Sequence, residues 1–259
     1  RICVNIPPRH GKSQLVSIMF PAWFLGRNPN KKVMMVSHTT DLAVDFGRKV
    51  RNLINTEEYR RIFPTVELAI DSKSAGRWNT NSGGEYYACG IGSSIAGRGA
   101  DLLLVDDPHS EQDVINGNFE VFEKAYDWFT FGARTRLMPG GRVAIIQTRW
   151  HMDDLTGRVT KDMTNNDMSD QYEIVEFPAI LKVSDKETDK EIEKPLWPAF
   201  FDLEALYRTK ASMPVFQWNA QYQQEPTAEE ASIIKREWWQ KWKAEEPPGC
   251  EYIIMSLDA

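Results

Sequence analysis

The sequence predicts an α/β fold: a mostly parallel central sheet flanked by helices, with a small, mainly helical subdomain after it. Three observations carry this. Short continuous apolar runs at Lys32–Ser37, Leu102–Val105 and Arg142–Thr148 suit strands buried on both faces. The stretches between them are long enough to hold helices, and strands alternating with helices argue for parallel pairing. The chain also opens as a strand that turns sharply into a helix. Ile2, Val4 and Ile6 alternate with Cys3 and Asn5, Pro7-Pro8 ends the run, and Gln14 to Met19 can start a helix.

The elements follow in order. The first helix runs to about Leu25, and Gly26 with Asn28-Pro29-Asn30 turns the chain into the strand at residues 32–37. Thr40 or Asp41 can cap the next helix, whose apolar positions fit one face only loosely. Alternation from Glu67 to Cys89 around Gly83-Gly84 reads as a β-hairpin, with Glu85–Cys89 as its second strand. Residues 90–99 hold four glycines and Arg98, the mark of a mobile or closely approached loop. After the strand ending in Asp106-Asp107-Pro108, residues 111–138 read as one long helical region, with Pro139-Gly140-Gly141 as a hard stop. A helix from Asp153 to Met163 and a strand from Tyr172 to Pro178 follow. Residues 182–194 are charged and read as an exposed loop. Asp202 caps a helix to about Ser212, and Pro214 begins another at its N1 position. Trp238, Trp239 and Trp242 form a cluster that suits packing better than ligand binding. Residues 251–258 begin a new strand.

Composition narrows the classes. With 259 residues, 42% hydrophobic and 26% charged, the chain can build one large core or two smaller ones. A net charge of −6 does not suggest a protein coated with nucleic acid, and it does not exclude a basic channel on one face. Cys3, Cys89 and Cys250 are far apart; the first two sit in apolar runs and read as buried thiols in a reducing compartment. No zinc pattern and no apolar run of ~18 residues occur. Arg1 opens inside a strand and Ala259 follows another, so both ends are expected to continue into a longer chain.

Strand, tight loop, Gly11-Lys12-Ser13, helix is the layout of a phosphate-binding loop. Backbone N–H groups at a helix N-terminus face an anion and the helix dipole favours it. Residues Pro8, Arg9, His10, Gly11, Lys12, Ser13 and Gln14 would line that loop. Lys12 would reach the β/γ-phosphates, and the Ser13 hydroxyl would ligate Mg²⁺. The loop departs from the usual pattern because Ile6 stands where the first glycine is expected. Asp106, at the end of a neighbouring apolar strand, fits the carboxylate of a Mg²⁺ shell, and Asp107 beside it fits the group that deprotonates water. Gln147 and Thr148 end the next strand, where polar groups face the ligand crevice and could sense the γ-phosphate. Arg9, Arg98 and Arg149 are candidates to meet the γ-phosphate in the transition state. For Arg98 and Arg149 a structural ion pair is at least as good a reading.

Taken together, Pro7–Ser13, Gly97–Asp101, Val105–His109, Gln147–His151, Asp153–Gly157 and Tyr222–Pro226 resemble, in order and spacing, the large terminase subunit of tailed bacteriophages. The resemblance implies a P-loop NTPase of the additional-strand (ASCE, RecA-like) type that uses ATP and Mg²⁺. It implies a motor that moves double-stranded viral DNA into a procapsid. Its partners would be the portal protein, the small terminase subunit and further copies of itself in a homo-oligomeric ring, a pentamer. It would work in the host cytoplasm, without a membrane. Residues 1–178 would be the ATPase domain and 179–248 a linker subdomain. Residues 249–259 would be the first strand of an RNase H-like nuclease, with Asp258 as its first metal-binding residue. The chain alone would not cleave DNA, and the family's adenine-contacting segment would precede Arg1. Where the family commonly has glutamate, this chain has Asp107.

Two other readings share the site. One is a nucleic-acid helicase or another P-loop ATPase, since the strand end at Ser37-His38 also suits helicases. The other is a nucleotide-binding scaffold that does not hydrolyse. Lys31, Lys32, Arg48, Lys49, Arg51, Arg60, Arg61, Arg134 and Arg136 could supply phosphate contacts to DNA, which position it without reading sequence.

Overall fold

The computed structural model describes residues 1–70, 74–115, 118–184 and 191–227. Strand β1 (Ile2–Asn5) leads through a tight loop into a π-helical stretch, Ser13–Met19, and then helix α1 (Phe20–Arg27). Pro21 has no N–H to give the carbonyl four residues back, and the widened turns lie directly before it. Strand β2 (Lys32–Ser37) is followed by α2 (Thr40–Ile54), capped by the Thr39 hydroxyl, which accepts from the Leu42 N–H at 3.3 Å. Helix α3 (Glu57–Ile62) is capped in the same way by Thr56. Strands β3 (Arg77–Asn79) and β4 (Glu85–Gly90) form the expected hairpin. It is pinned by Trp78 stacked on Tyr86 at 4.8 Å.

Strand β5 (Ala100–Asp106) precedes two short helices, α4 (Glu111–Ile115) and α5 (Glu120–Asp127). Strand β6 (Leu137–Gln147), helix α6 (Leu155–Asn165) and strand β7 (Glu173–Glu176) complete the sheet region. The sheet order is β3-β4-β2-β5-β6-β1-β7, and only β3 runs antiparallel to its neighbour. Strand β6 is therefore inserted between the phosphate-loop strand and the strand ending in Asp106. This is the additional-strand arrangement the resemblance implies.

Alternation along the strands makes two cores. Met35, Leu104, Trp78 and Tyr86 face α1, α2 and α3, with Leu25, Val50 and Ile54. Cys3, Met34, Leu103, Val105 and Ile145 face the other layer, with Phe129, Leu155 and Val159. Each such side chain, fully buried, contributes about 1.5–3 kcal/mol. Cys3 and Cys89 are buried free thiols, as expected.

Beyond the sheet, strands β8 (Ile180–Ser184) and β9 (Glu191–Pro195) pair antiparallel, and α7 (Leu203–Ala211) and α8 (Val215–Gln221) follow. Asp202 caps α7, accepting from the Ala205 N–H at 2.8 Å. Ala179, Ile180, Leu206 and Trp218 give this part a small core of its own. Residues up to Thr227 make one compact unit.

The cap of α2 is Thr39, one residue before the expected Thr40 or Asp41, and three further expectations fail for physical reasons. Residues 111–138 do not form one helix. After α5 the chain widens to a π-helical stretch, Trp128–Ala133, tightens through a 3₁₀ turn, Arg134–Arg136, and is already extended at Leu137. Pro139-Gly140-Gly141 is not a stop but lies inside β6. The register against β5 slips there, between Ala100 and Leu102, and Gly140 takes φ +77. Proline and glycine sit at such bulges because the regular ladder is already broken. The charged stretch at 182–194 is not wholly loop. It pairs Val183 with Ile192 and sets Lys182 opposite Glu193, so alternation and opposite charge stabilise a hairpin. Trp238, Trp239, Trp242, Cys250 and Asp258 lie outside the described residues.

Candidate functional site

The carboxyl ends of β5, β6 and β1 meet at the phosphate loop. The Ile6 N–H donates to the Gln147 carbonyl at 3.1 Å, which fixes the loop to the inserted strand. The loop turns through two left-handed residues, Arg9 at φ +62 and Gly11 at φ +81. For arginine this conformation costs on the order of 1–2 kcal/mol, and such strain gathers at functional sites. The His10 Nδ1–H donates to the Pro8 carbonyl at 2.8 Å, and its ring stacks on Phe201 at 4.9 Å. The Arg9 side chain is exposed and makes no hydrogen bond or ion pair among the described residues. The helix starting at Ser13 has no side-chain cap; the Leu15 N–H donates to the Gly11 carbonyl at 3.1 Å, which leaves the N–H groups before it for an anion. Gln14 is exposed at that end.

Lys12 and the paired acids converge. Lys12 Nζ lies 2.5 Å from Asp107 Oδ2. The Thr148 N–H donates to the other Asp107 oxygen at 3.2 Å, and the Thr148 hydroxyl donates to the Ile6 carbonyl at 3.1 Å. Thr148 thus bridges the phosphate loop and Asp107. Asp107 itself is left-handed, at φ +43.

Asp106 is fully buried, and neither of its oxygens has a hydrogen-bond partner. Burial, and then the Asp107 charge, push its pKa up to about 7. Lys12 and the nearby Ser17 and Ser13 hydroxyls pull the other way. Those hydroxyls are close enough to favour the charged form, yet neither makes a hydrogen bond to it. Ser17 Oγ, Ser37 Oγ and both amide atoms of Gln147 are likewise buried without partners. Ser37 and Ile146 are the register neighbours of Asp106. Buried polar atoms are nearly always paired, so this concentration at one set of strand ends marks a place for a polar ligand. A hard cation fits the donors, since the Asp106 carboxylate and the Ser13 hydroxyl are oxygen ligands of the kind Mg²⁺ would take. Among the described residues no group of three or more His, Cys, Asp or Glu side chains could cage a metal, and a phosphate-bound Mg²⁺ needs none.

The arginines separate. Arg149 is no free finger. Its Nε donates to both oxygens of the fully buried Asp154 at 3.0 and 2.9 Å, and Nη1 reaches Glu176 at 3.4 Å. Arg98 lies before β5, at the opposite end of the sheet from Asp106. Its guanidinium pairs with Glu85 at 3.2 Å and sits 4.0 Å over the Tyr87 ring. It does not reach the phosphate loop of its own chain, and the Glu85 pair gives it a structural role.

Ser17, Trp197 and Phe201 escaped the sequence reading, while Gln224 and His38 stood in its motifs without a contact assigned to them. Ser17 stands four residues after Ser13 on the same helix face, a spacing that could have exposed it. Trp197, whose ring lies against Gly11, and Phe201 come from a distant segment that local pattern cannot place. Gln224 accepts from the Arg149 N–H at 3.2 Å and ties the Tyr222–Pro226 turn to the sheet. His38 touches Asp107 through its carbonyl.

No curated protein matches the sequence. Solved structures of phage large terminases share the fold. The large terminase of bacteriophage HK97 superposes with a TM-score of 0.52 at 15% identity, over 86% of this chain and 46% of that one. The ATPase domain of the Thermus phage P74-26 large terminase gives 0.52 at 16% identity, over 88% of each chain. The chain thus spans less than half of the HK97 protein. The family described as terminase large subunit, T4likevirus-type, N-terminal, matches residues 3–241, and the chain belongs to that family.

Proposed function

We propose that this chain is the ATP-hydrolysing part of a motor that moves double-stranded viral DNA into a procapsid. The observation that supports it most is the set of unpaired polar atoms around Asp106, beside an ammonium and a second acid, at the mouth of a phosphate loop. In this reading the loop N–H groups from Pro8 to Gln14 hold the phosphates. Lys12 leaves Asp107 for the γ-phosphate. Asp107, freed on that side and still held by the Thr148 N–H, takes the proton of the attacking water. Arg9, exposed beside the phosphates, stabilises the transferring charge in cis, and Arg98 of a neighbouring copy is the candidate in trans. Ser13 and Asp106 would hold Mg²⁺, which neutralises phosphate charge when bound.

Gln147 and Thr148 would pass loss of the γ-phosphate to the segment after the sheet. That segment would begin at about residue 179, with the nuclease from about 249 and Asp258 as its first metal ligand. Double-stranded DNA, the portal protein, the small subunit and a pentameric ring in the host cytoplasm belong to the same proposal. Among the described residues no helix is long and apolar enough to cross a membrane. The test is packaging of DNA into empty procapsids by the longer protein carrying Lys12→Ala. We expect neither ATP turnover nor packaging. Packaging at the normal rate would refute the assignment. DNA strand separation without packaging would favour the helicase reading.

A further inference from the structure

We propose that His38 is a positioning residue for Asp107, holding its carboxylate ready when Lys12 leaves. This rests on the reading that Asp107 acts on the attacking water. The Asp107 carbonyl accepts two hydrogen bonds, both from His38: the backbone N–H at 3.2 Å and ring Nδ1 at 3.0 Å. A carbonyl can only accept, so Nδ1 carries the proton. The next residue is Pro108, so the Asp107–Pro108 peptide has no N–H. Its carbonyl is the only polar handle by which the fold can fix that plane.

The handle matters because Asp107 sits at φ +43, a sparsely populated conformation that persists where its surroundings hold it. Its other holds are the Asp107 N–H on the Ile146 carbonyl at 2.8 Å, the Thr148 N–H on Oδ1, and Lys12 on Oδ2. The reaction removes the last of these, because Lys12 is needed at the phosphates. His38 reaches Asp107 from the end of β2, on the side of β5 away from β6 and the loop that carries Lys12. It keeps the backbone of Asp107 fixed through the exchange, so the carboxylate points at the same place with and without Lys12.

The test compares His38→Ala, His38→Asn and His38→Gln in this chain, by single-turnover ATP hydrolysis and by Mg·ATP affinity. Asparagine places an N–H where Nδ1 donates; glutamine places it where Nε2 lies. We expect His38→Ala to slow hydrolysis about tenfold or more with affinity changed less than about threefold, because a misaimed base costs rate and not binding. His38→Asn should recover most of the rate and His38→Gln should not. Wild-type rate in His38→Ala, equal losses of rate and affinity, or asparagine no better than glutamine would overturn the proposal. Thermal unfolding checks each fold, and if the alanine variant fails to fold, the asparagine–glutamine contrast decides. Asp107→Ala runs alongside. If it turns over ATP normally, the role of Asp107 falls and this proposal with it. If it is inactive while His38→Ala is normal, only the role of His38 falls.

Discussion

Replacing Asp154 by alanine asks whether Arg149 is a structural group or a reactive one. Asp154 is fully buried, and its carboxylate accepts from Arg149 Nε twice, from the Trp150 N–H at 3.0 Å and from the Gly157 N–H at 3.0 Å. It is the N-cap of α6, a role worth about 1 kcal/mol. Its loss also strands a guanidinium that is 8% exposed, with only Glu176 at 3.4 Å as a remaining anion. Breaking a buried pair in this way costs about 3–5 kcal/mol. The two costs overlap, so a loss of about 4 kcal/mol is the reasonable sum. For a domain of this size that lowers Tm by roughly 8–16 °C. Asp154→Asn, which keeps the shape and part of the cap, should fall between. Circular dichroism during thermal unfolding reads the shift. A Tm within about 2 °C of wild type would refute the reasoning and return Arg149 to the list of mobile cations near the phosphates.

Two further outcomes are expected. Burial holds His109 down at about 4, against an ordinary 6.5. The unfolded chain therefore binds this proton more readily than the folded one. The His109 contribution to stability is complete above pH 6.5 and is lost as pH drops through 4, about 3 kcal/mol at full protonation. His109→Gln keeps an acceptor for the Leu155 N–H and removes the titrating site, so urea midpoints should fall less steeply across that window; identical slopes would contradict the assignment. Thr148→Ala removes the hydroxyl bond to Ile6 and leaves the backbone bond to Asp107. The longer protein carrying it should hydrolyse ATP but package DNA poorly, and normal packaging would exclude a coupling role.

The sheet was legible because its strands are apolar on both faces and its phosphate loop has a local signature. Lys12, Asp106 and Asp107 could be placed together because strand ends in such sheets face one crevice. Arg149 could not be read, since the sequence offers an arginine beside a crevice and does not say that Asp154 occupies it. The stretch from 111 to 138 misled because its apolar spacing is helical, while the departure into π and 3₁₀ turns follows from packing against the sheet. The charged segment at 182–194 misled for the opposite reason. Its pairing depends on a partner strand, and charge alone says only that it faces water.

Titration of the chain with ATP, ADP and AMP in the presence of Mg²⁺, with and without Lys12→Ala, tests the central claim. The cradle described above holds phosphates, so affinity should fall from ATP to AMP by about tenfold or more, and Lys12→Ala should erase most of the ATP advantage. Equal affinity for the three nucleotides, or an ATP affinity untouched by Lys12→Ala, would contradict it.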